Sequence, residues 1–502
     1  LRKIDNHFDP GSRPMSASAQ RQISQIAREL KVFLRNTSPK STATLDEAIA
    51  PVVAFAVARL RRTTPTAAKK NLANSAWKTL GRHLAGRLAF ALGPTLRLEL
   101  TAARAVARSL ENKNQRRRVG ITLQETIHDF PEALATAARL IADWIDAQQE
   151  LLCRIWHDQK RFRVTAIHPG LSDPHDGGRS VTLVEFADGG RVIYKPRSCA
   201  REQIWFGALT WLNRNGFQPF FRVPRLVERQ TYSWMESLRT TSCRNSKAVR
   251  AFYFRWGAQA ALAQILRSSD LHRENWLAVG PQPILVDAEL IGTAPAHSRK
   301  KPFQDRQSLS ALLETGLLPL TARDRAGLYR GIAPFDSALS QSALVTCWPR
   351  CQGALQAPQK YVSDLVRGFE AVAEIVTKLE RTREFFDEII LPLSRTTNGR
   401  LLFRASAEYA RILRDSLEPS KMISVGDRWR WLARECCASP PNRRIGLAEA
   451  RALLRCDLPK FTSGRSATAA ASWKTLATAI ANLKGSSKIL RKRVRWGTHG
   501  RS

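Results

Sequence analysis

At 502 residues, with 43% hydrophobic side chains and 80 Lys and Arg against 43 Asp and Glu, the chain has apolar residues enough for two or three structural units of about 150 residues and a formal charge of +37. That charge predicts an acidic partner, whether nucleic acid, acidic lipid or acidic peptide, although an Arg-rich proteome with no special partner fits equally, because the excess is spread along the chain. No apolar run approaches the ~20 residues of a membrane span and no signal-peptide pattern opens the chain, which excludes an integral membrane segment and leaves a cytoplasmic protein as the expectation.

Residues 1–42 are polar and rich in Arg, Ser and Pro, and read as a flexible N-terminus beginning on Leu1 rather than Met, as a fragment or partial reading frame would. Helical spacing dominates residues 43–160, a helical cap. From Phe130 to Trp156, Leu134, Ala138, Ile141, Ile145, Leu152 and Ile155 fall on one stripe, with Pro131 near its start. The pattern then changes to short strands, Val181 to Phe186 and Arg191 to Tyr194, around the turn Asp188-Gly189-Gly190. Ala200 to Asn213 and Phe252 to Leu266 read as helices, and Trp276 to Val279 with Ile284 to Val286 as a hairpin around Gly280-Pro281. Residues 305–461 are mostly helical, and 462–502 form a basic tail, a frayed solvated helix or an electrostatic tether. The eight cysteines lack C-x-x-C pairs and predict reduced structural thiols; Cys347 and Cys351 could share a helix face as a metal half-site, but no second pair or nearby His completes it.

Chemistry concentrates in Ser269-Asp270-Leu271-His272-Arg273-Glu274-Asn275 and the strand ending Val286-Asp287-Ala288-Glu289. Phosphoryl transfer from a nucleotide needs an acidic group beside the attacking hydroxyl and hard oxygen donors for Mg2+. Asp270 is the candidate to orient or deprotonate that hydroxyl, Asn275 and Asp287 to hold the metal, and His272 to support Asp270. Lys195, at the end of the apolar strand Val192-Ile193-Tyr194-Lys195, is placed to fix nucleotide phosphates. A second cluster, Gly170-Leu171-Ser172-Asp173-Pro174-His175-Asp176-Gly177-Gly178-Arg179, can turn backbone N–H groups toward phosphate and brings Asp173 and His175 near the transferred group. An ordinary kinase has no use for that acid and imidazole; a site that also removes a proton from carbon and expels phosphate does. Each feature alone has a structural counterpart: a surface Lys, a capping Asp, a loop His, a polar turn.

These motifs, with Phe130-Pro131-Glu132, Tyr194-Lys195-Pro196-Arg197, Tyr232-Ser233-Trp234-Met235-Glu236, Thr315-Gly316-Leu317-Leu318-Pro319 and Asp457-Leu458-Pro459, resemble the dehydratase half of class II lanthipeptide synthetases over residues 130–461. The resemblance implies an α+β fold with a lipid-kinase-like catalytic core at 161–461, an N-terminal helical cap and an extensive helical C-terminal part. It also implies phosphorylation of Ser and Thr in a ribosomal precursor peptide with ATP and Mg2+, followed by phosphate elimination to dehydroalanine or dehydrobutyrine. Lys195, Asp270, His272, Asn275 and Asp287 would then serve phosphorylation. The family's elimination Arg and Thr, six apart, correspond to Arg400 and Ser406, the hydroxyl kept and the methyl lost; chemically, an Arg can neutralise a leaving phosphate bidentately.

The family normally continues into a zinc cyclase, whereas this sequence stops at residue 502 with His499 the only histidine after His297. The expectation is therefore no zinc, no thioether formation by this chain, and a separate cyclase as a candidate partner. The basic surface would meet an acidic leader on the precursor peptide; no nucleic-acid motif accompanies the charge, and nucleic acid is not expected as a partner. Two other readings stay open: a kinase that stops at the phosphate ester, and an inactive truncated remnant that only binds.

Overall fold

The computed structural model describes residues 8–9, 16–37, 42–112, 120–159, 162–292, 307–319, 333–336, 345–396, 400–401, 403–438, 443–463 and 473–496. The architecture is α+β, mostly helical with small antiparallel sheets. The chain forms two compact units, the first from Pro10–Pro196 and Phe403–Lys460, the second from Leu1–Asp9, Arg197–Leu402 and Phe461–Ser502. The stretch 161–461, expected as one core, thus contributes to both.

In the first unit the helices Ala17–Thr37, Leu45–Thr63, Asn74–Ser109 and Pro131–Gln159 bury their apolar stripes. Ala17–Thr37 lies where a flexible N-terminus is expected; Ile26, Leu30 and Leu34, four apart, are buried and give this Arg- and Gln-rich segment its apolar face. The Leu45–Thr63 helix starts on a capping box, with the Thr44 hydroxyl accepting from the Glu47 N–H and the Glu47 carboxylate accepting from the Thr44 N–H. On Pro131–Gln159, Ala138, Ile141, Ile145, Leu152 and Ile155 are buried and Leu134 is half-buried.

The same helix carries Glu132, Asp143 and Glu150, whose spacings of eleven and seven residues bring them to one face. Each carboxylate holds an arginine of this unit: Glu132 holds Arg139, Asp143 holds Arg455, and Glu150 holds Arg179. The strands Val164–Pro169, Thr182–Phe186 and Arg191–Lys195 form an antiparallel meander in which Leu183 faces His168 on one side and Ile193 on the other. The helices Ser406–Asp415, Asp427–Ala438 and Arg443–Leu454 complete the unit, anchored by the fully buried Arg428. Its guanidinium donates to the carbonyls of Leu453 (2.7 Å) and Leu454 (2.9 Å) and to the hydroxyls of Ser416 and Thr136.

The core of the second unit is aromatic. Trp256 packs edge-on against Phe335 (4.7 Å between ring centroids) and tilted against Trp276 (5.4 Å), which meets Trp205 at 6.5 Å. The helices Ser246–Ile265 and Val362–Val376 approach so closely that Gly257 faces the Leu365 backbone and Gly368 the Phe254 backbone, leaving no room for a side chain at either position. Leu483–Trp496, in the basic tail, buries Leu483, Leu490 and Val494 and exposes Lys484, Lys488, Arg491 and Lys492, so it is an amphipathic helix with a packed face. Cys347 lies outside any helix and Cys351 on the strand Arg350–Cys351, which removes the shared helix face a half-site would need; all eight cysteines are free. Among the described residues no helix is long and apolar enough to cross a membrane.

Candidate active site

The second unit assembles its site around a loop pinned to the aromatic core. After Ser246–Ile265 the backbone enters the left-handed region at Arg267 (φ 48°) and again at Asp270 (φ 63°), a conformation unusual for a residue with a side chain and kept only where the surroundings hold it. Here they do: Ser269 N–H donates to the Leu290 carbonyl (3.2 Å), Leu271 N–H to the Thr315 carbonyl (2.8 Å), and the Trp276 indole to the Leu271 carbonyl (3.2 Å). The Asn275 amide donates to the Asp270 carbonyl (2.8 Å) and closes the loop.

The hairpin Trp276–Val279 with Gln282–Leu285, in which Trp276 faces Leu285, then sets the register. One step beyond it Val286 N–H donates to the Asn275 carbonyl (2.8 Å), so Asp287 follows directly on the residue bonded to Asn275. Burial pushes the Asp270 carboxyl up to about 6; His272 and Arg400 pull against that shift, while Asp287 and Glu289 add to it. His272 accepts the Glu274 N–H at Nδ1 (3.3 Å), which assigns the ring proton to Nε2, the nitrogen 3.8 Å from Asp270 Oδ1.

Two arginines complete the cluster. Arg197 reaches Glu202 (2.5 Å), Asp287 Oδ1 (2.8 Å) and Glu289 (3.3 Å). Burial works against its charge, but these carboxylates outweigh burial and hold the guanidinium protonated well above its ordinary range. Arg400 pairs with the other oxygen of Glu289 (2.5 Å), so this residue, expected to serve elimination, lies in the same cluster as Asp270 and Asp287. Composition and spacing single out neither Arg197 nor Glu289. Each lies past the end of a strand, Arg197 in a bend after Arg191–Lys195 and Glu289 in a turn after Gln282–Leu285, where alternation gives no signal.

The donor set can be tested against Mg2+. Asn275 Nδ2 is committed to the Asp270 carbonyl, which leaves Oδ1 as an acceptor, and Asp287 Oδ1 takes Arg197 and the Glu289 N–H (3.2 Å) while Oδ2 accepts no hydrogen bond among the described residues. Two hard oxygens result. Among the described residues no group of three or more His, Cys, Asp and Glu could hold a metal by itself. A pair of protein oxygens fits Mg2+, which usually takes one or two carboxylates and completes its shell with phosphate oxygens and water.

The first unit holds Asp173, His175, Lys195 and Ser406. Lys195 ends its strand buried, Ser406 opens the Ser406–Asp415 helix exposed, and Asp173 is exposed before the turn His175–Arg179. His175 and Arg179 exchange both backbone hydrogen bonds (2.9 Å each), and Asp176, Gly177 and Gly178 between them are left-handed (φ 48°, 87° and 77°). The expectation that this turn offers its N–H groups to phosphate is corrected: Gly177 N–H donates to Asp457 Oδ2 (2.6 Å) and Gly178 N–H to both Asp457 oxygens (3.1 and 3.0 Å).

A family model described as a domain of unknown function (DUF4135) matches residues 122–343 and 337–464, a span that contains all nine candidate residues. The chain belongs to the DUF4135 family. It is also similar to the lacticin 481/lactococcin biosynthesis protein LcnDR2 of Lactococcus lactis subsp. lactis, at 22% identity over 285 residues. That similarity covers 49% of this chain and 30% of the relative, so the chain spans less than a third of that protein's length.

Proposed function

We propose that this DUF4135 chain acts in lanthipeptide biosynthesis, dehydrating Ser and Thr of a ribosomal precursor peptide through a lipid-kinase-like core that uses ATP and Mg2+. The observation that carries this reading is the cluster of Asp270, Asn275 and Asp287, fixed by one hairpin register and one strained loop; similarity to a lantibiotic biosynthesis protein supports it.

In the first step Asp270 accepts the substrate hydroxyl proton as the new O–P bond forms and the bond to ADP breaks; a carboxyl near 6 is ionised at neutral pH yet basic enough for this. Asn275 Oδ1 and Asp287 Oδ2 would hold Mg2+, whose chemistry is to neutralise charge on the phosphate oxygens. Lys195 contributes a fixed cation toward phosphate, and His272 orients Asp270. In the second step His175, with Asp173, removes the Cα proton, the electron pair forms the Cα=Cβ bond, and phosphate leaves toward Arg400 with Ser406 assisting. The precursor peptide, met through an acidic leader at the basic surface, is the partner, in a cytoplasmic location.

One observation favours a kinase that stops at the ester: Arg400 pairs with Glu289 inside the phosphorylation cluster. Mass spectrometry of a Ser/Thr precursor peptide with ATP and Mg2+ separates the two readings. Wild type yields a product lighter by one water, Arg400→Ala accumulates phosphopeptide, and Asp287→Asn leaves the peptide unmodified. Full turnover by Asp287→Asn refutes the site, and a stable phosphopeptide as the sole wild-type product refutes elimination.

A further inference from the structure

The turn that carries Asp173 and His175 is held by a dipeptide 280 residues downstream. Asp457 receives the N–H groups of Gly177 and Gly178, and its Oδ1 is held in turn by Arg87 Nη2 at 3.2 Å, which also donates to the Cys456 carbonyl at 3.2 Å. Its carboxylate therefore meets only donors, and burial keeps water from substituting for them. Leu458 makes the next two bonds: its N–H donates to the Pro174 carbonyl (2.9 Å), and its carbonyl lies 2.7 Å from His175 Nδ1. A carbonyl only accepts, so Nδ1 must carry a proton, and in the neutral ring the basic lone pair is on Nε2.

We propose that Asp457 and Leu458 are positioning residues for the elimination step, fixing the left-handed turn 176–178 and the tautomer of His175 that makes Nε2 the base. This rests on the dehydratase reading. Three consecutive left-handed residues, one of them with a side chain, do not persist without support, and the Asp457 carboxylate is the group that meets two of their N–H groups at once. With the turn held, Pro174 and His175 run alongside Leu458, and its carbonyl selects the ring nitrogen. In the elimination the Cα proton then passes to Nε2, the electron pair becomes the Cα=Cβ bond, and the Cβ–O bond breaks with phosphate as the leaving group.

Asp457→Asn tests the inference, because an amide replaces one accepting oxygen with a donor that opposes Gly177, Gly178 or Arg87. Two measurements are made on the full chain. The first follows a synthetic Ser-phosphorylated peptide by mass spectrometry, giving kcat and KM for elimination, beside the rate at which unmodified peptide is phosphorylated with ATP and Mg2+. The second records long-range 15N–1H spectra of protein labelled only at histidine, with His175 assigned through His175→Gln. Wild type should show His175 protonated at Nδ1. Asp457→Asn should lose that single tautomer and drop elimination kcat at least tenfold, with KM and phosphorylation changed less than threefold, so that phosphopeptide accumulates. Arg87→Lys, which keeps the charge and loosens the carboxylate, should do the same more weakly and serves if Asp457→Asn does not fold. A wild type with His175 protonated at Nε2 overturns the inference, as does an Asp457→Asn chain that eliminates at the wild-type rate or loses both half-reactions equally. A wild type that never eliminates refutes the dehydratase reading, and the inference with it.

Discussion

Replacing Gly257 or Gly368 with Ala should destabilise the second unit although both glycines lie inside helices, where Ala is the better residue by about 1 kcal/mol. A Cβ on Gly257 would sit 2.6 Å from the Leu365 carbonyl carbon and 2.8 Å from its Cα, and one on Gly368 would sit 2.6 Å from the Phe254 carbonyl carbon, with the carbonyl oxygen nearer still in each case. Carbon atoms pack at about 3.5–4.0 Å, so the helices Ser246–Ile265 and Val362–Val376 must separate by roughly 1 Å. The obstacle is backbone and cannot rotate away. Overpacking of this kind costs about 1–3 kcal/mol, and a rigid neighbour takes it to the upper end. Less the helix-propensity gain, each variant should lose about 2 kcal/mol, roughly a thirtyfold fall in the folding equilibrium. The assay is urea unfolding followed by tryptophan fluorescence, since Trp256 neighbours Gly257 in the core. The double variant should lose less than the sum of the two, because the first separation makes room for the second methyl. Wild-type stability in Gly257→Ala, or a gain of about 1 kcal/mol, refutes the close approach.

Asp270, with its carboxyl pushed up to about 6 from an ordinary 3.8, should make the phosphorylation rate rise with pH through about 6 and level off above it; a flat profile between pH 5 and 7.5 removes it as the base. The folded state binds this proton more tightly than the unfolded state, so the stabilisation is full below about 4 and lost as pH rises past 6, and Asp270→Asn should gain on wild type over that window in urea midpoints. Arg428→Met should cost about 3 kcal/mol in the first unit by stranding the Leu453 and Leu454 carbonyls, and a loss under 1 kcal/mol by thermal unfolding rules out the clamp.

Local pattern made much of this fold legible. The hairpin at 276–285 is signalled by alternation around Gly280-Pro281, and the Pro131–Gln159 helix by its apolar stripe, because both signals lie within one element. One helix is hidden by polarity: in Ala17–Thr37 the narrow face of Ile26, Leu30 and Leu34 is lost among polar residues, whereas for the basic tail a solvated helix is among the expectations and only the buried face of Leu483, Leu490 and Val494 is concealed by charge. In the site, Asp270, Asn275 and Asp287 could be found from spacing because one loop and one hairpin bring them together. Arg197, Glu289 and Asp457 could not, since their importance comes from pairings across 90 residues or more, or from carboxylates that look like surface charge until their partners are known.

The distance from Gly177 to Asp457 also sets a clock. A ribosome adding about 5–20 residues per second takes roughly 15–60 s to cover those 280 positions. For that time the Asp176-Gly177-Gly178 turn exists without the carboxylate that holds it, and His175 without the carbonyl that chooses its tautomer. The whole Arg197–Leu402 stretch, with its own aromatic core, is synthesised in the interval. A nascent chain therefore has Asn275, Leu290 and Thr315, the partners of the Asp270 loop, in hand well before Asp457, the partner of the His175 turn, so the two loops are completed in a fixed order.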